Sequence, residues 1–450
     1  MLPRPSHDRT PRLAAAALSL LLAGCDRGSS QPGAAGSATP AGSGAPVVTG
    51  APAASAGGVT TAASAAGGEP AAPQGAGVTA FTPLGDVPEC KAKTGELASY
   101  LQRHGLGLAG RSGDGTFAAV WLVELQNNLD AQIAFAGFDG EAKQVARARS
   151  IAATREAGVR IIETGGQWSV TWFGADGLTY AQPRWETLPP PEIQRLTAVG
   201  KEIGENVAIA STPGGSLVAA SPFGPARDQL GVFLFAPADP ALPSVKAVGV
   251  THHAKQPRRP AVAADATGYF VAWSEDDGSI RASRFDLAGK EGDAHVLTPP
   301  AAGANAVGAA PEQDRLALIA TEGAGALALW SEGETLVARA LDAAARPSGA
   351  AWVVGKGRWR AVAPHGKGAL VAWIGNDGKV DGQLLLARLS ADGAPAEKGL
   401  RISDGAIAVK DPPAVAVAGA RVGVAWTEPL STGVSTKRAL LRMLDAACIP

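Results

Sequence analysis

The chain has 450 residues, of which 46% are hydrophobic, 18% charged, 57 Gly and 33 Pro, a turn-rich composition with enough apolar mass for a large core. Lys plus Arg (40) nearly cancels Asp plus Glu (41), which excludes the strongly basic face of a nucleic-acid binder. No apolar run reaches the roughly 18 to 20 residues of a membrane-spanning helix.

Residues 1–24 read as an export signal. Arg4, Arg9 and Arg12 form a positive leader, and residues 13–22 (LAAAALSLLL) form an apolar segment of the length of a signal peptide. It ends in Leu22-Ala23-Gly24-Cys25, which resembles the lipobox of bacterial lipoproteins. The resemblance implies that the Cys25 thiol takes a diacylglyceryl group and that the chain is cut just before it. Acyl chains contribute roughly 0.8 kcal/mol per buried methylene, so such an anchor holds a protein at a membrane without a spanning helix. The expected location is the bacterial cell envelope, with the choice of inner or outer membrane left open.

Residues 25–84 follow as a tether. Of the 55 residues from 26 to 80, 46 are Ala, Gly, Ser, Pro or Thr, and only Asp26, Arg27 and Glu69 are charged. Such a segment buries too little surface to offset the entropy of ordering. As a flexible linker it spans on the order of 40 Å.

Residues 85–450 carry a repeat. An apolar run ending in Trp recurs at Trp121, Trp172, Trp273, Trp330, Trp373 and Trp426, and a degenerate copy, Val218-Ala219-Ala220, fills the one gap. With Ala220 counted, the period is about 51 residues. The fourth copy shows the grammar: runs at 260–264, 269–275, 279–286 and 294–297 separated by turns with Gly268, Asp277-Gly278 and Gly289. Four short strands per unit of this length predict an all-β fold, a β-propeller of seven four-stranded blades. The weak third copy leaves six or eight units as alternatives. Alternation along the strand separates Trp273 from Ala272, so the repeated Trp is expected between blades, with Ala opposite it permitting close approach. The third unit is expected to be the most loosely packed.

The repeats resemble those of bacterial lipoproteins with seven-bladed, sialidase-like or WD-like propellers, over residues 106–445. The resemblance implies the fold and little about activity, because the chain has no Gly-His…Trp-Asp signature and no repeated Asp box.

Candidate chemistry is sparse. Residues 105–110 spell G-x-G-x-x-G, but a turn and another strand follow where a dinucleotide site needs a helix, so no cofactor is expected. His252-His253 is the one histidine pair, and adjacent strand residues face opposite sides, so no metal site is expected either. Trp-Ser-Glu or Trp-Thr-Glu places Glu275, Glu332 and Glu428 at equivalent positions. These are candidates for a rim or cation site, although pairing across the hairpin with Arg284, Arg339 and Arg442 is the expected structural role. Cys90 and Cys448 remain after lipidation, and export favours a disulfide between them. The seventh unit ends too early for a fourth strand, and residues 78–83 (VTAFTP) or their near neighbours are expected to supply it. The function read from this pattern is a membrane-tethered binding or scaffold platform for an envelope protein or ligand. The alternative is an envelope hydrolase or lyase acting on a glycan or similar substrate.

Overall fold

The computed structural model describes residues 72–101, 105–124, 131–154, 159–174, 177–183, 193–195, 207–212, 217–223, 229–235, 246–252, 258–275, 277–299, 316–323, 325–376, 382–404, 412–430 and 437–450. The chain divides into two compact units, Met1–Ser64 and Ala65–Pro450, and every described residue belongs to the second. Cys25 and its lipobox lie outside the described residues, as does the tether up to residue 71.

Short antiparallel meanders follow one another along the chain, because apolar alternating runs are interrupted every few residues by turn formers. After β1 (Ala80–Pro83) and β2 (Lys93–Leu101), the first unit comprises β3 (Leu106–Arg111), β4 (Thr116–Glu124), β5 (Ala131–Phe138) and β6 (Gln144–Thr154). The second contains β7 (Arg160–Thr164), β8 (Gln167–Gly174), β9 (Gly177–Ala181) and β10 (Ile193–Arg195). The third contains β11 (Ala208–Ser211), β12 (Leu217–Phe223), β13 (Gln229–Phe235) and β14 (Lys246–His252). The fourth contains β15 (Arg258–Ala264), β16 (Gly268–Ser274), β17 (Ile280–Asp286) and β18 (His295–Thr298). The fifth begins with β19 (Ala317–Thr321), β20 (Gly325–Glu332) and β21 (Thr335–Leu341), and shares β22 (Pro347–His365) with the sixth, which adds β23 (Gly368–Gly375), β24 (Gln383–Leu389) and β25 (Lys398–Arg401). The seventh unit is β26 (Ala414–Ala418), β27 (Arg421–Pro429) and β28 (Lys437–Asp445), with β2 as its outer strand.

β22 changes sheets in mid-strand: it pairs with β21 up to Lys356 and with β23 from Gly357 onward. Gly357 has φ +151°, and a Cβ there would lie 2.3 Å from the Ile374 carbonyl oxygen, so only glycine fits the pivot. The innermost strands touch in cyclic order, β3 to β7, β11, β15, β19, β22 and β26, and β26 returns to β3. This is a β-propeller: radial sheets close on themselves and leave no end unit exposed.

Packing between units follows one rule. Trp172 of the second unit clusters with Val120, Leu122 and Phe135 of the first. Trp273 clusters with Leu230 and Val232 of the third unit, Trp330 with Phe270 and Ala272 of the fourth, and Trp373 with Leu327 and Leu329 of the fifth. Trp426 clusters with Leu370 and Leu386 of the sixth, and Trp121 closes the circle on Ala416 and Leu441 of the seventh. Each indole therefore packs backward onto the preceding unit, and the residue before it faces forward. All six are at most 4% exposed.

The third unit corrects the repeat alignment. Ala208 pairs with Ala220 as Ala261 pairs with Ala272 and Ala414 with Ala425, and Ala220 lies in the forward cluster shared with the fourth unit. Ser221, rather than Ala220, therefore occupies the strand position that carries Trp elsewhere. The weak copy hid this because its apolar letters fit either register.

The N-terminal segment also differs from expectation. Residues 78–83 do not complete the seventh unit; β1 pairs in parallel with β25, Ala80 opposite Lys398 through Pro83 opposite Arg401, as a fifth strand on the sixth unit. The seventh unit takes β2, antiparallel to β28 with Lys93 opposite Met443, because only a strand ending near residue 101 leads directly into β3. The tether boundary moves accordingly. Gln74 bridges to Trp352, Val78 and Leu84 are buried, and the Phe81 ring meets Trp373 edge-on with centroids 5.7 Å apart. The folded body thus begins before residue 85, and residues 74–84 form a strap across the outer edges of the fifth and sixth units.

Candidate functional site: the loop-bearing end

In a four-stranded meander the hairpin between strands two and three emerges at the same end as the connection to the next unit, and the other two hairpins emerge at the opposite end. The first end carries most of the long connections: 155–159, 196–207, 253–257, 299–316 and 402–413 between units, and 125–130, 376–382 and 430–436 within them. The opposite end has tight turns at 112–115, 165–166, 265–267, 366–367 and 419–420, with longer connections at 182–192 and 236–245.

Glu275, Glu332 and Glu428 all lie at the loop-bearing end. The Trp330 indole donates its Nε1–H to Glu332 Oε1 at 2.9 Å, and Trp426 donates to Glu428 Oε1 at 2.8 Å. Residues i and i+2 of a strand share a face, so the carboxylate two positions after the Trp is in reach of the indole. Trp373, followed at that position by Gly375, donates instead to the Lys356 carbonyl at 3.3 Å. Glu428 also accepts from Arg438 at 3.0 Å. Glu275 is 4% exposed; it meets Arg281 Nε at 3.0 Å and accepts from the Ser279 hydroxyl at 3.3 Å.

The expected pairing with Arg284, Arg339 and Arg442 is therefore incorrect. Arg284 stands opposite Phe270, Arg339 opposite Ala328 and Arg442 opposite Val424, toward the other end of each sheet and out of reach of the hairpin carboxylates. Arg284 binds Asp265 at 2.6 Å and lies over the Phe270 ring at 4.0 Å. Arg339 donates to the Leu297 carbonyl of the fourth unit at 2.9 Å, and Arg442 to the Ile402 carbonyl and to Asp404. Arg388 reaches the Ala446 carbonyl of the seventh unit at 3.3 Å, and Arg421 the Gly140 carbonyl of the first at 2.8 Å. Arg339, Arg388, Arg421 and Arg442 thus join neighbouring units through backbone carbonyls, whereas Arg284 stays within its own.

The three glutamates are each engaged within their own sheet. Among the described residues no group of three or more His, Cys, Asp or Glu is placed to hold a metal ion. The G-x-G-x-x-G run lies in and just before β3, where glycine serves close approach. A Cβ on Gly110 would lie 2.4 Å from the Val417 carbonyl oxygen of the seventh unit. The side chains of His252 and His253 lie outside the described residues.

Sequence reasoning missed a second repeat at the tight-turn end. Asp139, Asp286 and Asp342 each end a third strand and accept from the backbone N–H four residues on, at Lys143, Lys290 and Arg346 (2.8 to 2.9 Å). The recurring Asp-x-x-(Gly/Ala)-(Lys/Arg) was the available signal. The Arg346 N–H bonds and guanidinium, against the opposing effect of burial, hold the Asp342 carboxyl below the ordinary range. An open cleft of about 420 Å3 lies here between the fourth and fifth units, lined by Lys290, Glu291, Asp293, His295 and Arg346 among others.

The seam between the second and third units is polar. Ser169, Thr171 and Tyr180 are buried on the face of the second unit opposite Trp172, which turns toward the third. Burial pushes the Tyr180 hydroxyl up to about 12, with the nearby Ser169 hydroxyl acting in the opposite direction. Across this seam the Ser211 hydroxyl donates to the Glu163 carbonyl at 2.7 Å.

No family's sequence pattern matches the chain, and no curated protein does. Solved structures are similar in fold. The BP39L lectin from Burkholderia pseudomallei is 16% identical at TM-score 0.47, over 77% of this chain and 97% of its own. U3-55K is 9% identical at TM-score 0.46, over 78% and 98%. The lectin of Aleuria aurantia, solved with alpha-methyl-L-fucoside, is 12% identical at TM-score 0.43, over 66% and 95%. Likenesses of this size carry no argument about ligands.

Proposed function

We propose that the chain is a lipid-anchored, seven-bladed propeller of the cell envelope that acts as a binding or scaffold platform, taking an envelope protein or ligand at its loop-bearing end. The observation that supports this is the asymmetry between the two ends: tight turns dominate one, while the other carries connections as long as 299–316 and 402–413. Variable loops on a rigid scaffold are where recognition is usually built. β1 runs parallel to β25, from the tight-turn end toward the loops.

The test compares three proteins for retention of components from detergent-solubilised envelopes and of soluble envelope glycans. These are the native chain, a variant with residues 301–314 replaced by a short Gly-Ser turn, and a variant with the 366–367 turn altered. Retention lost only in the first variant supports the platform reading; equal retention by all three overturns it. Turnover of an envelope glycan by the purified native chain would replace it with the hydrolase or lyase reading.

A further inference from the structure

In each complete unit the third strand passes to the fourth through a hairpin, and in the first, fourth and fifth that hairpin is the Asp turn. In the seventh unit Asp445 closes β28 and instead caps a short 3-10 turn, Ala446–Cys448, accepting from the Ala447 N–H at 3.1 Å. The outer strand of this unit is β2, next to β28. Cys448 stands where the hairpin would cross over, bonded to Cys90, with Cα atoms 5.1 Å apart. Cys90 lies three residues before β2, the substitute fourth strand. The disulfide therefore takes the place of the seventh hairpin.

Its position upstream of β2 sets how tension on the N-terminal chain enters the ring. β2 is an edge strand, hydrogen-bonded only to β28. A pull on its Lys93 end would open that ladder one bond at a time, and the first unit would follow because β2 leads into β3. Through the disulfide the pull passes to the end of β28, an interior strand. β28 pairs at nine positions with β27 and at six with β2, so it cannot leave without breaking two ladders. Cys90 is fully buried among Leu84, Leu400, Leu444 and Ile449, and Cys448 partly so.

We infer that the Cys90–Cys448 disulfide is a load-bearing latch: tension arriving along the N-terminal chain is carried past β2 into β28, so the ring stays closed while its tether is pulled. The source of that tension rests on the lipid-anchor reading above, whereas the load path concerns folded residues alone and stands or falls without lipidation.

The test is single-molecule pulling of the purified, unlipidated chain, with one handle at residue 26 and the other inserted in the 301–314 connection. In the native protein the first event should release residues 72–90, a contour gain of about 65 Å, and stop. In Cys90→Ser/Cys448→Ser the first event should run on through β2 to residue 101, about 100 Å, and continue into the first unit without a pause. A second variant keeps the disulfide and carries a protease site between Lys91 and Ala92, in the exposed link before β2. Cleaved there, it should behave as the native protein does, because the cut lies off the load path. A pause at the same extension in the double serine variant overturns the latch, and so does a marked fall in the force needed to pass Cys90 in the cleaved protein. The cleaved protein decides the matter even if the serine variant does not fold.

Discussion

At the scale of single residues, recurring letters in this chain solve local hydrogen-bonding and backbone problems. A buried indole N–H needs an acceptor, and the Glu two positions on supplies it in the fifth and seventh units. The Asp turns need a left-handed residue at their fourth position. Gly289 takes it at φ 84°, and Gly393 takes the equivalent place in the Ser390 turn at 87°, but Ala142 and Ala345 take it at 60° and 62°, where Cβ crowds the backbone. Ala142→Gly should raise stability by about 0.5 to 1 kcal/mol, the relief of strain exceeding the added unfolded-state entropy, whereas Ala345→Gly should gain less because its methyl is fully buried; thermal melts of the two variants check this. Asp265 gives a pH prediction. Burial acts to raise its carboxyl, but the Arg284 guanidinium and the Thr267 N–H and hydroxyl overcome that and leave it below its ordinary value. A depressed folded-state value contributes stability above the unfolded value of about 3.9, lost as pH falls through the folded value. The stability gap between the native chain and Asp265→Asn should be widest near neutrality and close progressively below about pH 4. A gap that is constant from pH 6 to pH 2 in denaturant titrations would contradict the ion pair.

At the scale of elements, the six indoles make the seams unequal. Removing one should cost about 3 to 5 kcal/mol, because a rigid seam cannot collapse around the space left behind. The seam between the second and third units lacks this indole: Ser221 stands at its position in the register, and Ser169, Thr171 and Tyr180 face it. Hydrogen exchange in the native protein should therefore show less protection in β7, β8 and β11 than in β20, β23 and β27; equal protection would mean that the polar seam is as tight as the others. How much of this was legible in the sequence depended on the signal. A large aromatic recurring in an alternating run marks both a strand and its buried face, so the Trp positions were readable. The partners of the glutamates were not, because pairing depends on how far along the hairpin each arginine sits. Arg281, opposite Trp273, and Arg284, opposite Phe270, differ by only three letters but lie toward opposite ends of the sheet. Ser221 was missed for the related reason that Val-Ala-Ala imitates Val-Ala-Trp one position out of step.

At the scale of the whole molecule, the outer edges of the fifth and sixth units are covered by residues that composition assigns to a tether. The 26–80 stretch reads as uniformly small and polar, yet its end carries Val78, followed by Phe81 and Leu84, and these three side chains dock on the fifth and sixth units. Phe81 requires Gly399 opposite, since a Cβ there would come within 2.9 Å of its ring. The parallel pairing of β1 with β25 covers an edge that would otherwise offer unpaired backbone groups to another chain. A chain that begins at residue 85, where composition places the domain boundary, should fold, because β2 and the disulfide are retained. It should nevertheless be less stable than one beginning at residue 72. Two buried aliphatic side chains and one half-buried ring, at about 1.5 to 3 kcal/mol for each full burial, amount to roughly 4 to 7 kcal/mol as an upper range. The shorter chain should also associate through the bared edge of β25. Denaturant midpoints and sedimentation of the two lengths check both parts. Equal midpoints would show that the strap only rests on the ring, and a monomeric shorter chain would show that the β25 edge needs no cover.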